Sequence, residues 1–306
     1  MAVAIPAYNE AANIARVVHQ VLREPWGEEL RLERILVIDD CSDDETPEIA
    51  ASLALEDERV CVVRNNRRSG KNAGIRTVNA ACQSDFVAVV DADVLLSPGC
   101  LVRTIQLLLD DPSLMASSCI IRPLPARSWR ERASRSQALF VAELKRRGSG
   151  YLSALYAVRA PAYGALDIPD GVADDAYVTL WLKAHDYRYA VCNNAIAFIR
   201  AASGIVDFAK QTLRGRYGAE ATARIAPPAA LPNRRQAVLP AVIGAFIKDP
   251  AGFVLYAMWY AIVLATPKRW WLQTVSLSVF ETAKSTKYVR SKKDAAQMHR
   301  RGRHSG

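Results

Sequence analysis

The sequence lacks the residue patterns of several protein classes. Its six cysteines stand singly, with no Cys-x-x-Cys pair and no histidine spacing typical of zinc ligands, so they predict small core residues in a reducing compartment. Glycine and proline number 15 each without a period, which excludes a collagen-like fibre. With 51% hydrophobic and 23% charged residues, the chain is too apolar for disorder to be its main state.

Long hydrophobic runs are also missing. The apolar segment 251–266 holds 16 residues without a charge, whereas a membrane-spanning helix needs about 20. The chain opens Met-Ala-Val-Ala-Ile-Pro, without the basic residues that precede the apolar part of a secretory signal. These features predict a cytoplasmic protein.

Positive charge is concentrated near the carboxyl end. The formal net charge is +9, and residues 284–303 contain eight Lys or Arg against the single acid Asp294. That segment accounts for +7, so the rest of the chain is nearly balanced. A basic tail of this kind favours contact with phosphates at a membrane surface, and we expect no nucleic-acid partner.

Strand-like and helix-like segments alternate through the first ninety residues. Apolar β-type runs at 2–5, 35–38, 60–63 and 86–90 are separated by helix-like segments. Asn9 is predicted to cap the first helix, and Thr46-Pro47 has the form of a helix start. The alternation predicts an α/β fold, with a mostly parallel sheet flanked by helices and ligands at the carboxyl ends of its strands.

Acidic residues stand at two of these predicted strand ends. Asp39-Asp40 follow the second run, and Asp91-Ala92-Asp93 follow the fourth. Two carboxylates one residue apart can hold a hard divalent cation, and Asp40 could accept hydrogen bonds from a base or a ribose. Taken alone, each motif is equally typical of a solvated turn or a helix cap. Their occurrence in one βα series favours a shared ligand site.

Five motifs give the chain its resemblance to family 2 glycosyltransferases of the GT-A fold. Residues 4–10 resemble the opening strand and the P-x-Y-N-E turn, and residues 37–46 resemble V-D-D-x-S-x-D-x-T. Gly70-Lys71 precedes Asp91-Ala92-Asp93, which is similar to the metal-binding D-x-D. Asp174-Asp175 resembles the acceptor-side E-D motif, and residues 211–214 resemble Q-x-x-R-W. The matches follow the family order along residues 3–217.

The resemblance implies an inverting transfer of sugar from a nucleotide diphosphate sugar, most often a UDP-sugar, to a hydroxyl or phosphate acceptor. Mn²⁺ or Mg²⁺ would be the cofactor, held by Asp93 and Asp91, and Asp175 would be the general base with Asp174 beside it. The implied nucleotide-sugar-binding residues are Pro6, Ala7, Tyr8, Glu10, Asp40, Lys71, Asp91, Ala92, Asp93, Gln211 and Arg214. The acceptor could be lipid-linked, a glycan or a small molecule.

Three positions depart from the family pattern. Gly215 stands where the last motif has Trp, which argues against a processive polysaccharide synthase because a sugar-stacking indole is missing there. Arg76 replaces an Asn, and Asp174 replaces the usual Glu. Two alternatives stay open at this point: a sugar nucleotidyltransferase, and a catalytically inactive relative that serves as a membrane scaffold. No G-x-G-x-x-G follows the first strand, so a dehydrogenase is excluded.

We expect three parts in the chain. Residues 1–226 would form the GT-A catalytic domain, with a nucleotide-sugar half at about 1–115 and an acceptor half at about 116–226. Residues 227–290 would be an apolar helical segment at a membrane interface, and 291–306 a disordered basic tail. Trp259, Trp270 and Trp271 precede the cations, which favours peripheral attachment to the anionic inner face of a membrane. The alternative is a soluble helical subdomain or an oligomer interface.

Overall fold

The computed structural model describes residues 1–81, 84–225 and 235–266. The strands are β1 (Ala2–Ala7), β2 (Arg34–Asp39), β3 (Val60–Arg64), β4 (Phe86–Val90), β5 (Leu95–Leu96), β6 (Leu114–Pro123), β7 (Leu155–Arg159) and β8 (Arg188–Ile199). The helices are α1 (Ile14–Leu22), α2 (Thr46–Glu56), α3 (Lys71–Ala81), α4 (Cys100–Asp110), α5 (Trp129–Arg146), α6 (Ala160–Ala165), α7 (Asp174–Ala184), α8 (Ile205–Ile225), α9 (Arg235–Lys248) and α10 (Pro250–Ala265).

All eight strands belong to one sheet in the order β3-β2-β1-β4-β7-β6-β8-β5. Strands β1 to β4 pair in parallel, as the alternating pattern predicts. The second half is mixed, because β7 runs antiparallel to both β4 and β6, and β5 runs antiparallel to β8. Strands β6 and β8 are parallel to each other, so β1, β2, β4, β6 and β8 all end at the same edge of the sheet.

Helices cover both faces of the sheet and bury its apolar side chains. On one face, Val3 and Ile5 of β1 pack with Val17 of α1, and on the other face Ala4 packs with Ile75 of α3. All five residues of β4 are buried. Each fully buried Val, Leu or Ile contributes roughly 1.5–3 kcal/mol to the free energy of folding. Asp91 and Asp93 therefore follow a strand that is firmly held in the core.

The first helix begins later than the sequence predicts. Helix α1 starts at Ile14, and Asn9 does not cap it. Asn9 has a left-handed backbone (φ 54°), its N–H donates to Ser42 Oγ at 3.0 Å, and its Oδ1 accepts from the Asp43 N–H at 3.0 Å. The predicted cap is therefore wrong, and Asn9 instead connects the β1 turn to the loop after β2.

The carboxyl-terminal helices pack on α5. Asp249, between α9 and α10, accepts from the Gly252 N–H at 3.1 Å and forms an ion pair with Arg135 at 3.1 Å. Within the described ranges, no helix combines the length and apolar character that a bilayer crossing requires. Trp270, Trp271 and the basic tail lie outside the described residues.

Candidate active site

A cleft of about 310 Å³ opens where β1, β2 and β4 end. Every residue that the sequence predicts for the site lines it: Pro6, Ala7, Tyr8, Glu10, Asp40, Lys71, Asp91, Ala92, Asp93, Asp174, Asp175, Gln211 and Arg214. A larger cavity of about 730 Å³ lies between β6 and α5, but no carboxylate lines it. The paired carboxylates therefore identify the smaller cleft as the candidate site.

Lys71 joins two of the predicted motifs. Its Nζ lies 2.7 Å from Asp91 Oδ1 and 2.7 Å from Asp174 Oδ2. Burial alone would lower the pKa of this ammonium, but Asp174 and Asp91 outweigh burial and raise the pKa above its usual value. Lys71 therefore stays charged, and it ties the end of β4 to the start of α7.

Asp175 has the properties of a proton acceptor. It lies in the first turn of α7, half-buried, and its Oδ1 accepts from the Ala176 N–H at 2.8 Å. Burial and the neighbouring Asp174 carboxylate raise the pKa of Asp175 from 3.8 to about 6, although the Lys71 ammonium opposes the change. A carboxyl group of that pKa is ionised at neutral pH, yet it holds a proton more strongly than an exposed aspartate does.

Helix α8 brings Gln211 and Arg214 to the cleft because Gly218 allows a close approach to α7. A Cβ at Gly218 would lie 2.9 Å from Ala173 Cβ and 3.1 Å from Ala173 N, closer than side chains tolerate. Ala173 directly precedes the Asp174-Asp175 pair. The sequence motif selects Gln211 and Arg214, whereas the requirement for glycine at position 218 emerges only from the packing.

Asp40 holds a loop against the cleft. Its Oδ1 accepts from Asn65 Nδ2 at 2.9 Å and from the Ser69 N–H at 2.8 Å, and its Oδ2 accepts from the Gly70 N–H at 2.7 Å. Both carboxylate oxygens are thus engaged by residues 65–70. Asp40 lies in the predicted place, and these bonds make it the anchor of the loop that leads into Lys71.

Several residues of the cleft wall belong to none of the predicted motifs. They include Arg68, Asn72, Ser153, Ala154 and Tyr156. The Arg68 guanidinium carbon lies 3.7 Å from the centre of the Tyr8 ring, a cation–π contact at the mouth of the first motif. In the sequence, Arg68 stands out only as part of the basic pair Arg67-Arg68 beside Gly70-Lys71. Such a pair is typical of a solvated surface.

Among the acidic residues of the cleft, Asp91 and Asp93 are the pair that the D-x-D motif predicts for a cation. Asp91 and Asp93 flank Ala92 after β4, and within the described residues no three His, Cys, Asp or Glu side chains cluster as a metal site. Mg²⁺ is commonly bound by one or two carboxylates while substrate phosphates and water supply the other oxygens. The Asp91-Asp93 pair fits a metal that binds together with a diphosphate.

A family model described as glycosyl transferase family 2 matches residues 2–164, more than half of the chain. Among curated proteins, the succinoglycan biosynthesis protein ExoO of Rhizobium meliloti is 35% identical over 106 residues, which cover 33% of this chain and 28% of ExoO. The segments matched in the curated relatives span only 15% to 34% of those proteins.

Two solved structures have a similar fold. The mannosyltransferase PcManGT of Pyrobaculum calidifontis, in complex with GDP-Man and Mn²⁺, matches with a TM-score of 0.59 at 20% identity, over 99% of this chain and 79% of that chain. Glucosyl-3-phosphoglycerate synthase of Mycobacterium tuberculosis, in complex with Mn²⁺, UDP and glucosyl-3-phosphoglycerate, matches with a TM-score of 0.50 at 19% identity, over 72% and 77%. With its motifs in one cleft and its first half matched by the family model, the chain belongs to glycosyl transferase family 2.

Proposed function

We propose that this glycosyltransferase moves a sugar from a nucleotide diphosphate sugar, in the first place a UDP-sugar, to a hydroxyl or phosphate acceptor with inversion. The observation that carries the proposal is one cleft in which Asp91 and Asp93 face the start of α7 with Asp174 and Asp175. A site for a charged leaving group and a site for a proton acceptor are thereby adjacent.

Each group has a separate role in the proposed reaction. Asp175 takes the proton of an acceptor hydroxyl while the acceptor oxygen attacks the anomeric carbon. The bond from that carbon to the diphosphate oxygen breaks on the opposite face, which inverts the configuration. Arg214 and Lys71 line the cleft and carry the positive charge that offsets the departing diphosphate.

Asp91 and Asp93 would hold Mn²⁺ or Mg²⁺, which would neutralise part of the diphosphate charge. Both solved neighbours are complexes with Mn²⁺, one with GDP-Man and the other with UDP. The aromatic ring of Tyr8 and the loop anchored by Asp40 form the wall where we expect the nucleoside to bind. Gln211 would contact the diphosphate or the acceptor.

We also propose that residues 1–226 act as the catalytic unit and that residues 227–290 attach it to the inner face of a membrane. The basic tail at 291–306 lies outside the described residues. On α9, Leu239 is 65% exposed and Ile247 is 71% exposed. On α10, Val254, Met258 and Ile262 are exposed at four-residue spacing, which places them on one face. Exposed apolar helices next to a basic tail fit an anionic membrane surface, and this location would suit a lipid-linked acceptor.

Donor turnover in the presence of Mn²⁺ tests the proposal. With an α-linked UDP-sugar and water as the acceptor, we expect free UDP and a sugar that appears first as its β-anomer in proton NMR spectra. Asp175→Asn should lower kcat by about 10²–10⁴-fold, since a positioned base is lost. Release of pyrophosphate would indicate nucleotidyl transfer, and an initial α-anomer would contradict inversion. Binding of UDP- or GDP-sugars without any turnover would favour the catalytically inactive scaffold.

A further inference from the structure

Lys145 is a buried cation without an assigned role in the proposed reaction. It lies in the last turn of α5 and is 2% exposed, although lysine at a helix end normally reaches solvent. Its Nζ donates to Ser118 Oγ at 2.8 Å, to the Ser153 carbonyl oxygen at 3.0 Å and to Ser153 Oγ at 3.5 Å. All three acceptors are neutral oxygens, so among the residues that the structure describes the charge is buried without a direct ion-pair partner.

Such a burial is costly, and part of the electrostatic compensation comes from carboxylates of the cleft. Burial lowers the pKa of the Lys145 ammonium, while Cys119 and the carboxylates Asp175 and Asp91 oppose that change. The charge therefore acts on the same carboxylates that the proposed reaction uses. A buried charge is weak evidence for a contribution to stability, so stability alone does not account for this lysine.

The lysine also fixes the loop that enters β7. A Cβ at Gly150 would lie 2.6 Å from Lys145 Cα, so the loop can pass this close to α5 only with glycine at that position. The Leu152 N–H donates to Thr179 Oγ1 at 2.9 Å, and Thr179 Oγ1 donates to the Asp175 carbonyl oxygen at 2.7 Å. The loop is thus attached both to α5 and to the first turn of α7.

The same loop supports Asp91. Ala154 has a left-handed backbone (φ 65°), which costs free energy in a residue other than glycine. In that conformation its carbonyl oxygen accepts from the Asp91 N–H at 2.9 Å. Ser153, the residue bound by Lys145, directly precedes it, and both line the cleft.

We infer that Lys145 is a positioning residue for the proposed transfer: it holds the 150–154 loop, and through Ala154 the backbone of Asp91, and it adds a buried positive charge to the field at Asp175. This inference rests on the proposed function. The titratable groups that interact electrostatically with Asp175 then include Asp174, Lys71, Asp91, Lys145 and the buried Tyr156.

Lys145→Met tests the inference, with Lys183→Met as the matched control in the last turn of α7. We expect Lys145→Met to lower kcat about tenfold or more and to raise the pKa of Asp175 by about half a unit or more, because a nearby cation is lost. Lys183→Met should change neither. The pKa is followed by carboxyl-carbon NMR titration, with Asp175→Asn identifying the resonance.

A fall in kcat with an unchanged pKa of Asp175 would reduce Lys145 to a structural residue and overturn the inference, as would unchanged kcat. Lys145→Gln removes the charge but keeps a donor for Ser118, so it replaces Lys145→Met if that variant fails to fold, and the same shift is expected. The titration needs no turnover. Failure of the base assignment would instead appear as an active Asp175→Asn enzyme.

Discussion

For single residues, the environment of Asp175 predicts an effect on protein stability in addition to its proposed role as the base. The pKa of Asp175 is raised to about 6, so the folded state binds the proton more tightly than the unfolded state does. The stabilisation from this proton is complete below pH 3.8, and it is lost as pH rises through about 6. Above that pH the buried negative charge opposes folding.

We therefore expect Asp175→Asn to stabilise the protein at pH 7.5 by about 1–2 kcal/mol, a modest figure because the half-buried carboxyl is partly screened by water. Near pH 4 the gain should vanish, since Asp175 is then protonated in the folded wild type. Thermal unfolding at the two pH values measures the difference. Glu48→Gln, on the exposed surface of α2, is a suitable control. An equal effect of Asp175→Asn at both pH values would contradict the assigned pKa.

Residue identity was predictable from the motifs, but residue environment was not. The motif match selects Asp40, Asp91, Asp93 and Asp175, and all four line one cleft. That Asp40 accepts three hydrogen bonds from residues 65–70 depends on the path of a loop, which short motifs do not encode. The assigned contacts of each residue with nucleotide and metal stay predictions.

At the scale of elements, the approach of α8 to α7 depends on Gly218, and Gly215 one turn earlier offers a control. A Cβ at Gly218 collides with Ala173, whereas a Cβ at Gly215 meets nothing within 4 Å. We expect Gly218→Ala to destabilise the protein by roughly 1–3 kcal/mol through overpacking and to lower activity by displacing Gln211 and Arg214.

Gly215→Ala should instead stabilise α8 by about 0.5–1 kcal/mol, because alanine favours the helix more than glycine does. Chemical denaturation measures the free energy of unfolding of both variants, and kcat measures their activity. If both alanines behave alike, the contact with Ala173 does not determine how α8 is seated.

The elements themselves were predicted unevenly. The pattern over 86–90 matches β4 residue for residue, and the runs at 35–38 and 60–63 fall inside β2 and β3. Local sequence suffices there, because each strand is a short apolar run bounded by polar residues. The insertion of β7 between β4 and β6 depends on pairing across long stretches of chain, and no local pattern predicts it.

At the scale of the whole molecule, the resemblance to family 2 glycosyltransferases is confirmed by the family model, and the predicted GT-A-type fold by the solved neighbours. The division at residue 226 stays a proposal. One continuous sheet runs through both predicted halves of the catalytic unit. The main core cluster likewise contains residues of both halves, from Val3 to Ala197.

The proposed membrane attachment involves the whole chain. The protein should float with anionic liposomes at low salt and detach as salt rises, because residues 284–303 contribute a screened attraction. The double variant Leu239→Glu/Ile247→Glu should reduce flotation at least severalfold, since two charges enter the apolar face. Leu55→Glu, at a 91% exposed position on α2, should leave flotation unchanged. Equal flotation of all three proteins would refute attachment through α9.

The central claim is that the cleft binds a nucleotide sugar with a cation held by Asp91 and Asp93, next to the base Asp175. Calorimetric titration of UDP- and GDP-sugars, with and without Mn²⁺, tests it on the wild type, Asp93→Ala and Asp175→Asn. We expect the wild type to bind a nucleotide sugar with an affinity that Mn²⁺ raises. Asp93→Ala should lose this dependence on Mn²⁺, and Asp175→Asn should still bind the nucleotide sugar. Absence of binding by every nucleotide sugar, or an affinity that neither Mn²⁺ nor Asp93→Ala alters, would contradict it.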